Sequence, residues 1–356
     1  MSDYQYSKTY IAMLPPLYPC GAPAPSRASV YEDLAMEATN EFVEEWTMND
    51  LPTVTRDFRS LLCPTTHGHL VTLLYPEARP ERIKGIANVH DLILAADDVS
   101  ISSAHSEVAR KCTKSGLRVM QPKMFKDIKC TSGPQGDSLI QAYSQYSVSL
   151  KKFRLAPRAD VHTFCEFLPI RYYDFGSVLL FSIIPYIHGI ELSREESQTL
   201  HFSLVVLALA MILWNDVYSW AEESQAHIWA IMTELGCDLE PALTICRQKA
   251  LQYERKYMSE AERLIATAST TPNVRAIARA ITHVIPGFNL WHATSARYRS
   301  ECPGMDVARK VLASPPSSVE LDIAFEEECD RIYEGCCALA RQHLGQDWGR
   351  WAEKVR

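Results

Sequence analysis

Apolar positions recur at intervals of three and four along most of this chain, the period that buries one face of an α-helix. After Ser29, a cap followed by early acids, Tyr31, Leu34, Ala35, Ala38, Phe42 and Trp46 keep that period. It returns over 80–100, 136–150, 162–187, 195–223, 239–266 and 274–298, the last interrupted at Pro286-Gly287. A proline- and small-residue-rich stretch at 303–318 precedes another helical run at 319–345. Breaks are expected at Gly116, Gly133-Pro134, Gly189, Gly236 and Thr271-Pro272. Pro15, Pro16, Pro19, Pro23 and Pro25 make residues 13–27 extended or looped. Strand signals are scarce, and there is no internal repeat or low-complexity linker. The expected architecture is all-α, with an irregular segment over 1–28 and one domain of roughly ten helices over 29–356.

Composition narrows the partners. With 356 residues, 47% hydrophobic and 22% charged, the chain can bury a sizeable core. A net charge of −7 argues against nucleic acid and against an anionic membrane, while leaving a small anionic substrate open. The longest apolar stretch, 204–214, is too short to span a bilayer, so no membrane insertion is expected. The N-terminus lacks the regions of a secretory signal, and eleven cysteines without a CxxC pair suit reduced thiols and a cytoplasmic location.

Four stretches carry candidate chemistry. In residues 213–223, Asn215, Ser219 and Glu223 stand at i, i+4 and i+8, one above another on a helix face. All three offer hard oxygen donors, the kind Mg²⁺ takes, and the run before them is almost wholly apolar. Read blandly, Asn215 and Asp216 end the helix and Glu223 is solvated. A second apolar run closes on Asp97-Asp98, which could hold divalent ions or turn into solvent. Arg171 lies 45 residues before Asp216 and suits a phosphate, or else forms a surface pair with Asp174. Gly176 permits a helix break or close backbone approach. Arg297-Tyr298 offers a cation and a phenol.

Together these stretches resemble the class I terpene synthases, and in finer texture the cyclase domain of fungal bifunctional di- and sesterterpene synthases. Residues 215–223 match that family's N-D-x-x-S-x-x-x-E metal motif, and Asp97-Asp98 matches the start of its aspartate-rich motif. The resemblance covers roughly residues 30–300 and implies a single-domain helical bundle with a central active-site cavity. It implies that Asp97, Asp98, Asn215, Ser219 and Glu223 hold three Mg²⁺. It also implies that Arg171 senses diphosphate with Asp174 as linker, that Phe175 or Gly176 forms the helix break, and that Arg297 and Tyr298 donate to the diphosphate. One position departs from the pattern: Ile101 stands where the first motif ends in a third acid.

The implied reaction ionises a C20 or C25 prenyl diphosphate and cyclises the carbocation, with C15 farnesyl diphosphate as the alternative substrate. Phe181, Tyr186, Trp214, Tyr218 and Trp291 are candidate aromatic walls of the cavity, although each also suits an ordinary core. A fused or separate prenyltransferase is an implied partner, and a homo-oligomer is compatible with the sequence. Rival readings are a chain-elongating prenyltransferase, which should carry two full D-D-x-x-D motifs, and a silent binding protein of the same fold, which Ile101 favours. A purely structural scaffold leaves the polar ligands at the ends of two apolar helices unexplained.

Overall fold

The computed structural model describes residues 5–9, 26–49, 62–103, 107–153, 163–223, 226–298, 305–314 and 321–343. The helical period is realised as α1 (Glu32–Met48), α2 (Leu70–Leu74), α3 (Pro80–Ser103), α4 (Glu107–Ser132) and α5 (Pro134–Phe153). There follow α6 (Phe164–Asp174), α7 (Ser177–His188), α8 (Arg194–Glu223), α9 (Ala226–Leu235) and α10 (Leu239–Ala266). The chain continues through α11 (Pro272–Ile281), α12 (Val284–Thr294), a 3₁₀ turn at Ala296–Tyr298, α13 (Met305–Ala313) and α14 (Ile323–His343). Among the described residues the strands are limited to two short antiparallel ribbons: β1 (Ser7–Thr9) with β2 (Arg27–Ser29), and β3 (Pro64–Thr65) with β4 (Gly68–His69). The fold is all-α, as the periodicity predicts.

The bundle is organised around α8. Every residue from 203 to 219 is buried, so this helix is apolar on all sides and must be enclosed on all sides. Helices α6, α7, α9, α10, α11, α12, α13 and α14 pack against it. By length and composition α8 could cross a membrane, which the 204–214 stretch alone does not suggest. Here that apolar length is satisfied by neighbouring helices.

Several expected boundaries move. The 162–187 helix is broken at Phe175 and Gly176 into α6 and α7. Gly116 does not end a helix but lies within α4. Pro286-Gly287 does not interrupt the 274–298 stretch: the break falls at Thr282 and His283, and α12 begins at Val284. Pro286 is the third residue of α12, where its missing N–H would have had no intrahelical partner anyway. Gly287 serves packing, since a Cβ there would stand 2.0 Å from the carbonyl oxygen of Leu73 on α2.

Candidate active site

Asn215 and Ser219 face the same way from the middle of α8, and the helix runs on to Glu223, whose side chain lies outside the described residues. Asn215 and Asp216 therefore do not end the helix, while the bland reading's solvated Glu223 lies outside the described residues. Asn215 is held in one orientation. His292 on α12 places Nδ1 2.9 Å from the Phe288 carbonyl, so Nδ1 carries the proton and Nε2 accepts from the Asn215 amide nitrogen at 3.2 Å. The same nitrogen donates to the Tyr298 hydroxyl at 3.4 Å. The amide oxygen consequently points the other way, 3.3 Å from Arg171 Nη2. Burial, reinforced by the nearby Arg297 charge and opposed by the Phe288 carbonyl, pushes the His292 imidazole down to about 3, so it stays neutral.

Arg171 reaches this point from the last turn of α6. Its Nη1 pairs with Asp174 Oδ2 at 2.5 Å, and its Nη2 lies 3.3 Å from Oδ1 of the fully buried Asp216. The chain then breaks at Gly176, whose φ of 84° no L side chain adopts easily. A Cβ at Gly176 would also meet the Tyr146 ring at 2.8 Å, so backbone and ring close on each other there. Opposite, Arg297 in the 3₁₀ turn donates from Nη2 to Asp97 Oδ2 at 3.2 Å. Asp97 does not end its helix either: α3 continues to Ser103, with the side chains of Asp98 and Ile101 outside the described residues.

These groups stand beside a cavity of about 140 Å³, into which Asn215, His292 and Tyr298 open. Apart from Gly176 and the His90 imidazole from α3, the remaining wall is apolar or aromatic: Leu70 and Leu74 from α2, Ile93 and Leu94 from α3, Leu179, Leu180 and Ile183 from α7, Met211 from α8, with Tyr146, Phe175, Phe288 and Trp291. Of the aromatics singled out in the sequence, Trp291 lines the cavity. Tyr218 stacks behind it, 5.1 Å from the His292 ring. Trp214 is buried elsewhere, donating from Nε1 to Glu254 at 3.2 Å. Phe181 and Tyr186 line a different cavity of about 400 Å³ between α5, α7 and the start of α8. Helical phase explains the sorting, because Met211 and Asn215 share the cavity stripe of α8 whereas Trp214 and Tyr218 share the adjacent one.

The residues present fit a divalent cation. Ser219 Oγ is fully buried and has no hydrogen-bond partner among the described residues, one turn beyond Asn215 on the same helix face, so it is available as a ligand oxygen. Asn215 turns its amide oxygen toward Arg171, and Asp97 holds a carboxylate against Arg297, the neighbour in sequence of the cavity-lining Tyr298. A second cluster of Cys63, His69 and Asp91 also has its ligand atoms within 4.8 Å of one another. There His69 Nδ1 accepts from the Val71 amide and Nε2 donates to Thr39, which donates to Asp91 Oδ2 at 2.5 Å. Asp91 Oδ1 accepts from the Cys63 amide at 3.1 Å. Both ring nitrogens are engaged, and Cys63 in turn accepts from Trp291 Nε1 at 2.8 Å. That cluster is a brace behind the cavity wall.

Residues 82–256 match the family model described as terpene synthase family 2, C-terminal metal binding. A bifunctional sesterterpene synthase from Talaromyces wortmannii is 23% identical over 80% of this chain and 41% of its own length. Fusicoccadiene synthase from Phomopsis amygdali is 20% identical over 69% of this chain and 38% of its own. The chain thus spans about two fifths of these relatives. Among solved structures, aristolochene synthase from Penicillium roqueforti superposes with a TM-score of 0.62 at 14% identity, covering 78% of this chain and 99% of that one. A 2-methylisoborneol synthase from Streptomyces coelicolor, solved with Mg²⁺ and 2-fluorogeranyl diphosphate, gives 0.58 at 17% identity over 81% and 98%. The chain thus resembles terpene synthases in its metal-binding stretch and shares the all-α fold of the class I enzymes.

Proposed function

We propose that this chain is a Mg²⁺-dependent cyclase that ionises a linear prenyl diphosphate and closes the carbocation into a polycyclic terpene, releasing diphosphate. The observation that supports the reading is the set of pairings beside a largely apolar cavity: Arg171 on the Asn215 oxygen, Arg297 on Asp97, and the Asn215 amide nitrogen on the Tyr298 hydroxyl. Asp97, Asn215 and Ser219, joined by Asp98 and Glu223, are the residues to hold three Mg²⁺. Bound there, the ions supply Lewis-acid stabilisation of charge on the departing diphosphate.

The chain's own groups do the rest. Arg171, Arg297 and Tyr298 donate hydrogen bonds to diphosphate oxygens, Arg297 exchanging its Asp97 partner for the substrate. Asp174 and Asp216 hold the Arg171 guanidinium in place. His292 fixes the Asn215 amide with its oxygen outward. The apolar wall keeps water from the cation, and the faces of Tyr146, Phe175, Phe288 and Trp291 stabilise passing positive charge, by about 2 kcal/mol each when desolvated. The name of the Talaromyces wortmannii relative, a bifunctional sesterterpene synthase, supports a C25 substrate, with C20 kept beside it ahead of C15, supplied by a fused or separate prenyltransferase.

The test is incubation of purified protein with C15, C20 and C25 all-trans prenyl diphosphates, with and without Mg²⁺, read by gas chromatography–mass spectrometry. A cyclic product that requires metal, and is lost in Asn215→Ala, is the expected result. Folded protein that yields no cyclic product from any of the three with saturating Mg²⁺ overturns the reading.

A further inference from the structure

His90 lines the central cavity without taking part in any step above. Its Nδ1 lies 3.0 Å from the Ile86 carbonyl one turn earlier in α3, which fixes the proton on Nδ1. Among the described residues Nε2 has no hydrogen-bond partner and keeps its lone pair, and the ring's other contact is edge-on with Tyr75 at 6.1 Å. His292, the other imidazole on the wall, has its Nε2 committed to Asn215. His90, Ile93, Leu94 and Asp97 follow the i, i+3, i+4, i+7 pattern and share one face of α3. His90 therefore sits two turns from Asp97, roughly 10 Å along the helix axis and away from the diphosphate end.

We propose that His90 is the base that ends the cyclisation by removing a proton from the last carbocation. Nε2 takes the proton from a carbon next to the cationic centre, and the C–H bonding pair becomes the new C=C bond. The charge passes to a His90 imidazolium, which returns the proton to diphosphate or water when the product leaves. Burial, opposed by the Ile86 carbonyl, pushes this imidazole down to about 4, so it is neutral near pH 7 and gives up the proton easily afterwards. Diphosphate, the other base that the reaction supplies, lies at the metal end, so His90 selects a proton from the opposite side of the folded chain. This inference rests on the cyclase reading.

The experiment compares wild type, His90→Phe and His90→Gln with the accepted prenyl diphosphate and Mg²⁺, measuring diphosphate release and the product profile separately. Release precedes deprotonation, so it should stay within ~threefold of wild type, whereas the wild-type alkene should fall ~tenfold or more as a share of product in both variants. Isomeric alkenes or alcohols should take its place. His90→Gln keeps the polarity and serves if the Phe variant fails to fold, as judged by circular dichroism. An unchanged alkene share in either folded variant overturns the inference, as does a wild-type product that is an alcohol formed by water capture. Wild type that releases no diphosphate in a metal-dependent way overturns the cyclase reading itself, and the inference with it.

Discussion

Ser219 separates what this site does from what holds the fold together. A buried hydroxyl without a partner lowers stability, because its lost hydration is not replaced. Ser219→Ala should therefore leave the unfolding free energy unchanged or raise it by up to ~1 kcal/mol. The same change deletes one hard ligand, and binding of Mg²⁺ with inorganic diphosphate should weaken ~tenfold or more. A thermal melt and a calorimetric titration read the two effects independently. A destabilised Ser219→Ala protein that still binds tightly would show the oxygen to be a structural hydroxyl. The i, i+4 spacing of Asn215 and Ser219 was legible in the sequence, as were Arg171 and the Arg297-Tyr298 pair, because motif spacing survives without coordinates. His292 and His90 were not, and Asp216 was legible as a motif position but not as the partner of Arg171. His292 acts through an acceptor lone pair aimed at a residue 77 positions away, and no local pattern announces that.

At the level of elements, the sequence revealed which stretches are helical but not where packing cuts them. Residues 239–266 form one helix as read, with α11 starting after the Thr271 cap and α6 and α7 parting at Gly176. Pro286-Gly287 looked like a breaker because both residues are poor helix formers, yet each has a positional reason to be inside α12. Two glycines make this testable. Gly236 has a φ of 60° with nothing within 4 Å of a built Cβ, so Gly236→Ala should cost only the left-handed backbone, about 1–2 kcal/mol. Gly287 has ordinary helical geometry but abuts the Leu73 carbonyl, so Gly287→Ala must force α2 and α12 apart at a cost of ~3 kcal/mol or more. Denaturant midpoints of the two variants check the order. If the two are equal, or Gly236→Ala is the worse, then the α2–α12 contact does not govern stability.

Across the whole molecule, the all-α class and the central helix follow from composition and period, but which histidines become buried or half-buried emerges only when the helices are assembled. Desolvation pushes His90, His201 and His283 down to about 4 and His292 to about 3, and it also lowers His188. An unfolded histidine titrates near 6.5. Between about 4 and 6.5, then, the unfolded chain binds more protons than the folded one, and the unfolding free energy falls as pH falls through that window. Each such histidine contributes up to about 1.4 kcal/mol per pH unit, so the group together approaches ~5 kcal/mol per unit or more near pH 5. That is comparable with the whole stability of an ordinary domain, ~5–15 kcal/mol. The protein should hold a level melting temperature above about pH 7 and lose it steeply between about 6 and 4.5, with proton uptake on unfolding. Replacing His201, which meets Tyr333 away from the central cavity, should lower the slope by about one proton while leaving the others. Melts across this range in wild type and His201→Phe measure both quantities; a melting temperature that stays flat down to pH ~5 would mean that these imidazoles are hydrated in the folded state.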